Sequence, residues 1–337
     1  MQILHEWFQQ NRRDFPWRES PTPYKVWVSE VMLQQTRASV VIPYFLRWLE
    51  QFPNVRALAE APLEKVIKVW EGLGYYSRAR NLHKGAQQIV DQFEGEIPSK
   101  REDLESIHGL GPYTVGAIMS FGFKQRAPAV DGNVTRVLTR YFSIEENICK
   151  QSTKRKITAS AESILDANEP WITAEALIEL GATVCTPRPR CSSCPLQKNC
   201  LGQDKAEFLP IKNAERETTQ LKRTVVLIEC QNKILVKKGE KGKVMADLYE
   251  FPYFEMEKDH WTQKMIVRAV LEQFNLKVKI VEKLPMVTHT FTRFRAQLYP
   301  IRCETETMEK IEGFEWVSQD IIPELPFSAG HRRILTL

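Results

Sequence analysis

Apolar residues recur at helical spacing through roughly the first two hundred positions of the chain and at strand spacing after them. In the first stretch the pattern predicts a short amphipathic helix within residues 1–20, closing at Phe15-Pro16-Trp17-Arg18. A mostly apolar helix follows at Tyr24–Gln35, carrying one acid, Glu30. Further helices are predicted at Val40–Gln51, Leu63–Gly72, Ala79–Phe93, Val134–Tyr141, Lys154–Ala167 and Thr173–Val184, separated by Pro and Gly punctuation. After Cys200 the character changes. Phe208–Lys212 and the polar run Asn213–Lys222 read as a linker. Thr224–Cys230 and Lys233–Lys237 are β-rich and joined by Gln231-Asn232, which predicts a hairpin. Strands are also predicted at Lys277–Val281, Thr288–Leu298 and Phe314–Val317, interrupted by one helix at Trp261–Phe274. The pattern therefore divides the chain into an all-α domain over residues 1–212, a linker at 213–223 and an α+β domain over 224–337.

Between two predicted helices lies Ile107-His108-Gly109-Leu110-Gly111-Pro112-Tyr113-Thr114, followed later by Val130-Asp131-Gly132-Asn133. Gly109 and Gly111 permit a tight turn with positive φ. Pro112 suits the first turn of a following helix. A glycine turn feeding a helix N-terminus offers free N–H groups and a positive dipole end, a device for holding a phosphate. Asp131 falls where the next helix starts, where a carboxylate accepts backbone N–H bonds and is expected to stay ionised. Each motif alone is common turn chemistry. Their meaning depends on the rest of the chain.

A length of 337 residues accommodates two domains with a sizeable core. No apolar run is long enough to span a membrane, and the N-terminus lacks the pattern of a signal peptide. A net charge of +5 is compatible with a nucleic-acid partner. Seven cysteines, three of them isolated (Cys149, Cys230, Cys303), do not form a secreted disulfide framework, so a reducing cytoplasmic compartment is expected. The other four, Cys185, Cys191, Cys194 and Cys200, fall in one short loop (185–200). Four thiolates this close can converge on one metal centre. Zinc sites usually pair two Cys-x-x-Cys units; one such unit with two flanking single cysteines suits a [4Fe–4S] cluster better. Arg188, Arg190 and Lys198 place positive charge around this loop.

Taken in order, the Gly109–Gly111 turn, Val130-Asp131-Gly132-Asn133 and the four cysteines resemble the helix-hairpin-helix DNA glycosylases with an iron–sulfur cluster, the endonuclease III superfamily. Ser29-Glu30-Val31-Met32-Leu33-Gln34-Gln35-Thr36 and Gly72-Leu73-Gly74-Tyr75-Tyr76-Ser77-Arg78-Ala79-Arg80-Asn81-Leu82 narrow the resemblance to the adenine-removing branch, the MutY family. The resemblance implies a helix-hairpin-helix glycosylase fold with an iron–sulfur loop. It implies removal of adenine mispaired with 8-oxoguanine or guanine in duplex DNA, by a monomer that associates with the nucleoid when acting.

It also implies residue roles. Adenine leaves poorly as an anion, so the reaction needs a general acid, and Glu30 among apolar neighbours suits that role. Asp131 supplies the negative charge that an oxocarbenium-like sugar requires, a division of labour familiar from glycoside hydrolysis. Asn133 orients Asp131 or the sugar. Tyr113 stands where bifunctional relatives carry a Schiff-base lysine, so base removal without strand cleavage is expected. Trp17, Arg18 and Glu175 match the adenine pocket. Gln35 and Tyr75 match residues that fill the duplex once the target base is flipped out. Gly109 and Gly111 would hold the DNA backbone, with a monovalent cation bound by hairpin carbonyls.

In the second half, Leu248-Tyr249-Glu250-Phe251-Pro252 and the following helix resemble a Nudix layout. The helix offers only Glu272 within Arg268–Gln273, where a Mg²⁺ site needs several carboxylates, so no nucleotide pyrophosphatase activity is expected. A Nudix-like reader of the base opposite adenine is expected instead, through Phe291, Thr292 and Arg293. The family usually has Phe-Ser-His at that place. Arg293 puts a longer, permanently charged group in the position of the histidine. The interval from Cys185 to Cys191 is also one residue shorter than usual. Two other readings use the same features: a thymine or uracil mismatch glycosylase of the same superfamily, and a non-catalytic DNA-damage binding protein.

Overall fold

In the computed structural model the described residues are all except 213–217, 241, 244, 257–260 and 292. Two compact units emerge from the packing: residues 1–60 with 81–215, and residues 61–80 with 216–337.

The first unit is helical: α1 (Gln2–Asn11), α2 (Pro23–Leu33), α3 (Ala38–Gln51) and α4 (Val55–Glu60) precede the excursion that carries α5 (Leu63–Trp70). It resumes through α6 (Ser77–Phe93), α7 (Arg101–Ser106), α8 (Pro112–Ala117), α9 (Gly132–Tyr141), α10 (Gln151–Ser163) and α11 (Pro170–Thr183). The expected first helix is shorter than 1–20. Arg12 is extended and α1 stops at Asn11; Pro16–Arg18 form a separate 3-10 turn, started by a proline that has no N–H to continue an α-helical ladder. Helix α2 is buried on nearly every side, from Tyr24 and Val26 through Met32, so it is a central element. Tyr24 fixes it to α3, donating to the Phe52 carbonyl at 2.8 Å and accepting from Trp48 Nε1 at 3.2 Å. A second core joins α1, α9, α10 and α11 through Leu4, Phe8, Val137, Leu138, Ile157 and Leu177.

The second unit is built on a mixed sheet of β1 (Thr219–Cys230), β2 (Lys233–Lys238), β3 (Tyr249–Glu250), β4 (Tyr253–Glu255), β5 (Val278–Lys283), β6 (Val287–Phe291), β7 (Phe294–Thr305) and β8 (Glu315–Ser318). Strands β1 and β7 run parallel, in register from Thr219 opposite Phe294 to Glu229 opposite Glu304. The run Val225–Ile228 is apolar at every position because both faces are covered. Val226 and Ile228 pack with Ile266, Val270 and Phe274 of α12 (Gln263–Phe274). Val225 and Leu227 pack with Phe327 and with Ile334 of α13 (Ala329–Ile334). Two strand expectations change. β1 begins at Thr219, inside the polar run read as linker. Thr288–Leu298 is not one strand but the antiparallel hairpin β6–β7, turning after Phe291; strand-like residues on both arms concealed the turn.

Candidate active site

A cleft of about 1290 Å³ in the helical unit is lined by Glu30, Tyr113, Asp131 and Asn133, together with Trp17, Arg18, Gln35 and Glu175. Residues from five separate stretches of sequence thus meet in one cavity.

Glu30 lies on the buried α2 and is 8% exposed. Burial pushes its carboxyl up from 4.5 to about 7; the Tyr113 hydroxyl, which donates to Glu30 Oε2, opposes that shift, and the neighbouring charges of Asp131 and Glu175 add to it. Tyr113 is itself held well above the usual phenol range, first by burial and then by the carboxylates of Glu30 and Asp131. A protonated carboxyl near neutral pH is what a general acid needs.

Asp131 caps α9. Its Oδ1 accepts from the Val134 N–H at 2.7 Å and its Oδ2 from Asn133 Nδ2 at 2.8 Å. The helix start is expected to keep this carboxylate ionised, but burial raises its carboxyl, while the Val134 and Asn133 bonds and Arg136 pull it back down. The two acids therefore sit in contrasting surroundings: one among apolar groups with a single donor, the other at a helix start with several donors.

Trp17 is buried, stacked on Phe15 at 4.7 Å and edge-on to Phe45 at 5.6 Å. Arg18 reaches Glu175 at 3.6 Å and Glu179 at 2.9 Å. Glu179, fully buried, also takes Arg13 Nε at 2.5 Å, so it locks both arginines along the cleft. The sequence reading passed over Glu179 and Arg13. In Ala-Leu-Ile-Glu-Leu the glutamate reads as one more helical acid, and its partners lie more than 160 residues away. Gln35 lies in the turn that follows α2, with φ +57.

At the hairpin Gly109 has φ +84, and a Cβ there would sit 2.6 Å from Asn81 Cβ, so glycine is required. Gly111 differs from the expectation: its φ is −91 and nothing lies within 4 Å of where a Cβ would be. Its missing side chain leaves open space at the start of α8.

Residues 28–166 match the HhH-GPD superfamily base excision DNA repair protein family, and 223–337 match the NUDIX domain. The adenine DNA glycosylase of Buchnera aphidicola subsp. Acyrthosiphon pisum is 32% identical over 304 residues, covering 89% of this chain and 85% of the relative. The chain belongs to the adenine DNA glycosylases. The mouse family member is 44% identical over 207 residues, covering 58% of this chain and 40% of its own. Among solved structures, a thermostable thymine-DNA glycosylase superposes with a TM-score of 0.55 at 25% identity over 60% of this chain and 94% of its own.

The helical part of this adenine DNA glycosylase also carries the cysteine loop. Cys185, Cys191, Cys194 and Cys200 line one small cavity with Val184, Arg140 and Ala206. Among the described residues no group of three Cys, His, Asp or Glu side chains could hold a metal ion. Four thiols lining one cavity are a donor set that an iron–sulfur cluster or a zinc ion can take. Burial raises Cys194 to about 11. The loop is braced from α9: Arg140 donates to Thr186 O at 2.6 Å, Pro187 O at 3.2 Å and Cys185 Sγ at 3.4 Å. Arg136 Nε donates to Cys185 O at 2.8 Å and its Nη2 to Asn133 Oδ1 at 2.8 Å.

In the Nudix-like unit, Phe291 and Arg293 flank the β6–β7 turn. The Phe291 ring lies tilted against those of His289 (5.1 Å) and Phe294 (5.6 Å), and the Arg293 guanidinium covers Phe294 at 5.1 Å. Thr292 lies outside the described residues. Glu272 pairs with Arg268 at 2.6 Å on the exposed side of α12. Among the described residues no helix is long and apolar enough to cross a membrane.

Proposed function

We infer that this adenine DNA glycosylase initiates base-excision repair by hydrolysing the N-glycosidic bond of adenine mispaired with 8-oxoguanine or guanine. The observation that supports this most is the pair of acids in one cleft with opposed environments. A flipped-out adenine enters the cleft, and protonated Glu30 donates to a ring nitrogen, so the base leaves neutral. Asp131, aligned by Asn133, stabilises the positive charge that develops at C1′. One water is consumed; adenine and an abasic site are released. Tyr113 has no amine, so no Schiff base forms and the strand stays intact.

Trp17 forms the apolar wall of the pocket, and Arg18 with Glu175 supplies its polar edge. Gln35 and Tyr75 fill the duplex at the vacated position. The Gly109–Gly111 turn takes the phosphate backbone, with a monovalent cation on its carbonyls. Phe291, Thr292 and Arg293 contact the opposite base. Cys185, Cys191, Cys194 and Cys200 would hold a [4Fe–4S] cluster, which would tie the loop together when bound.

The test uses duplexes carrying A:8-oxoguanine, A:G, T:G and U:G, treated with alkali after incubation. Cleavage of the two adenine duplexes is expected. Product from T:G alone would replace this reading with the mismatch activity named for the solved neighbour. No product from any duplex would leave a DNA-damage binding protein. Borohydride trapping of the wild-type chain on DNA is expected to yield no covalent adduct.

A further inference from the structure

The turn that presents Tyr75 is shaped with care. Gly72 and Gly74 have φ +103 and +72, and Tyr75 itself is left-handed at φ +48, a conformation that a non-glycine residue holds only when its surroundings impose it. Trp70 Nε1 and Arg78 Nη2 both donate to the Gly74 carbonyl, at 3.0 and 3.1 Å. Arg78 also lies over the Trp70 and Tyr75 rings at 5.1 and 5.6 Å. Within this turn Tyr75 remains 45% exposed.

Both flanks of the turn are tied to the Nudix-like unit. Before it, the Glu71 carboxylate takes Arg332 Nε at 2.7 Å and Nη2 at 3.2 Å, and the Phe327 N–H at 3.2 Å. After it, Arg80 donates to the Ala246 carbonyl at 3.0 Å and reaches Asp247 at 3.4 Å. Arg332 sits on α13, which lies against β6. A Cβ at Gly330 would come within 2.9 Å of both Nδ1 and Cβ of His289, so helix and strand touch with no space between them. His289 in turn packs, tilted, against Phe291 at 5.1 Å. A continuous run of packed groups therefore joins the β6–β7 hairpin to the Tyr75 turn, entirely inside one compact unit.

We propose that Arg332, through Glu71, is a specificity-determining positioning residue that makes the Tyr75 turn move as one body with the hairpin that meets the opposite base. This rests on the assignments of Tyr75 to the duplex and of the hairpin to the base opposite adenine. The bidentate pair fixes both position and orientation of the turn, which a single contact does not. A base that seats well against the hairpin then sets Tyr75 for insertion; one that seats poorly leaves it displaced. Packing alone does not establish such coupling, so the test is energetic.

Single-turnover excision is measured for the full chain on A:8-oxoguanine and A:G duplexes. The variants are Arg332→Gln, Glu71→Gln and the double substitution. In each, the rate on A:8-oxoguanine is expected to fall by about tenfold with A:G within about twofold, and the double variant is expected to be no worse than either single. Arg332→Lys should restore part of the preference. An unchanged ratio in both single variants overturns the proposal. So does an equal loss on both duplexes with a lowered melting temperature, which marks a purely structural ion pair. Glu71 lies outside α13, so where Arg332→Gln fails to fold the Glu71→Gln ratio decides: a selective loss on A:8-oxoguanine supports the proposal and an unchanged ratio overturns it. No excision by the wild-type chain on either duplex would instead remove the glycosylase reading itself, and this proposal with it.

Discussion

Glu30 is where one residue carries both chemistry and cost. Its folded carboxyl titrates near 7 against 4.5 when free, so the folded state holds a proton that the unfolded state has released. The associated stability is fully present below about pH 4.5 and is lost as pH rises through about 7. By the same linkage, Glu30→Gln should melt above the wild type at pH 8 by an amount worth about 3 kcal/mol, and match it near pH 4.5. Its excision rate should fall by a factor of roughly 100 to 10,000. Equal melting temperatures at pH 8 would mean that Glu30 is not strained by burial. Tyr113 tunes this acid. Its hydroxyl favours the ionised form, so Tyr113→Phe should move the fall in kcat/KM to higher pH. A shift to lower pH would contradict the hydrogen bond to Glu30 Oε2.

At the level of elements, the hairpin before α8 separates folding from binding through its two glycines. Gly109→Ala forces a side chain against Asn81 at positive φ and should destabilise the chain by about 1–3 kcal/mol. Gly111→Ala meets nothing within 4 Å and should melt like the wild type. If a phosphate approaches the backbone there, Gly111→Ala should still raise KM for duplex with kcat little changed; unchanged KM would move the DNA backbone elsewhere. The sequence distinguished these glycines poorly, because positive φ depends on what crowds a residue and Asn81 arrives from a distant helix. Glu30 and Asp131 were legible for a different reason. An acid within an unbroken apolar helix, and an Asp before Gly-Asn at a helix start, announce their environments locally. Glu179 and the placement of residues 61–80 with the C-terminal unit were not legible, since each is defined by partners far away in sequence, and the β6–β7 turn was hidden by strand-like residues on both of its arms.

Across the helical unit as a whole, α9 links two regions that the sequence presents as unrelated motifs. Its N-terminus is capped by Asp131. One turn later Arg136 grips Asn133, which bonds Asp131, and also grips the carbonyl of Cys185 and that of Gly181 at 2.8 Å. Farther along, Arg140, 2% exposed, holds the carbonyls of Thr186 and Pro187. The cysteine loop therefore supports the orientation of Asp131, the second acid of the proposed mechanism, and a ligand that stiffens the loop would stiffen that acid too. Arg136 is the shared member: it supplies the charge that lowers Asp131 and the donor that aligns Asn133. Arg136→Gln should lower the single-turnover rate by about 10–100-fold, the usual effect of losing a group that orients a reacting residue. Iron content per chain, measured alongside, should stay at the wild-type value because all four cysteines remain. A rate within twofold of wild type would show that Asp131 holds its orientation through the helix cap alone. Loss of iron together with activity would place Arg136 in the loop's own folding instead.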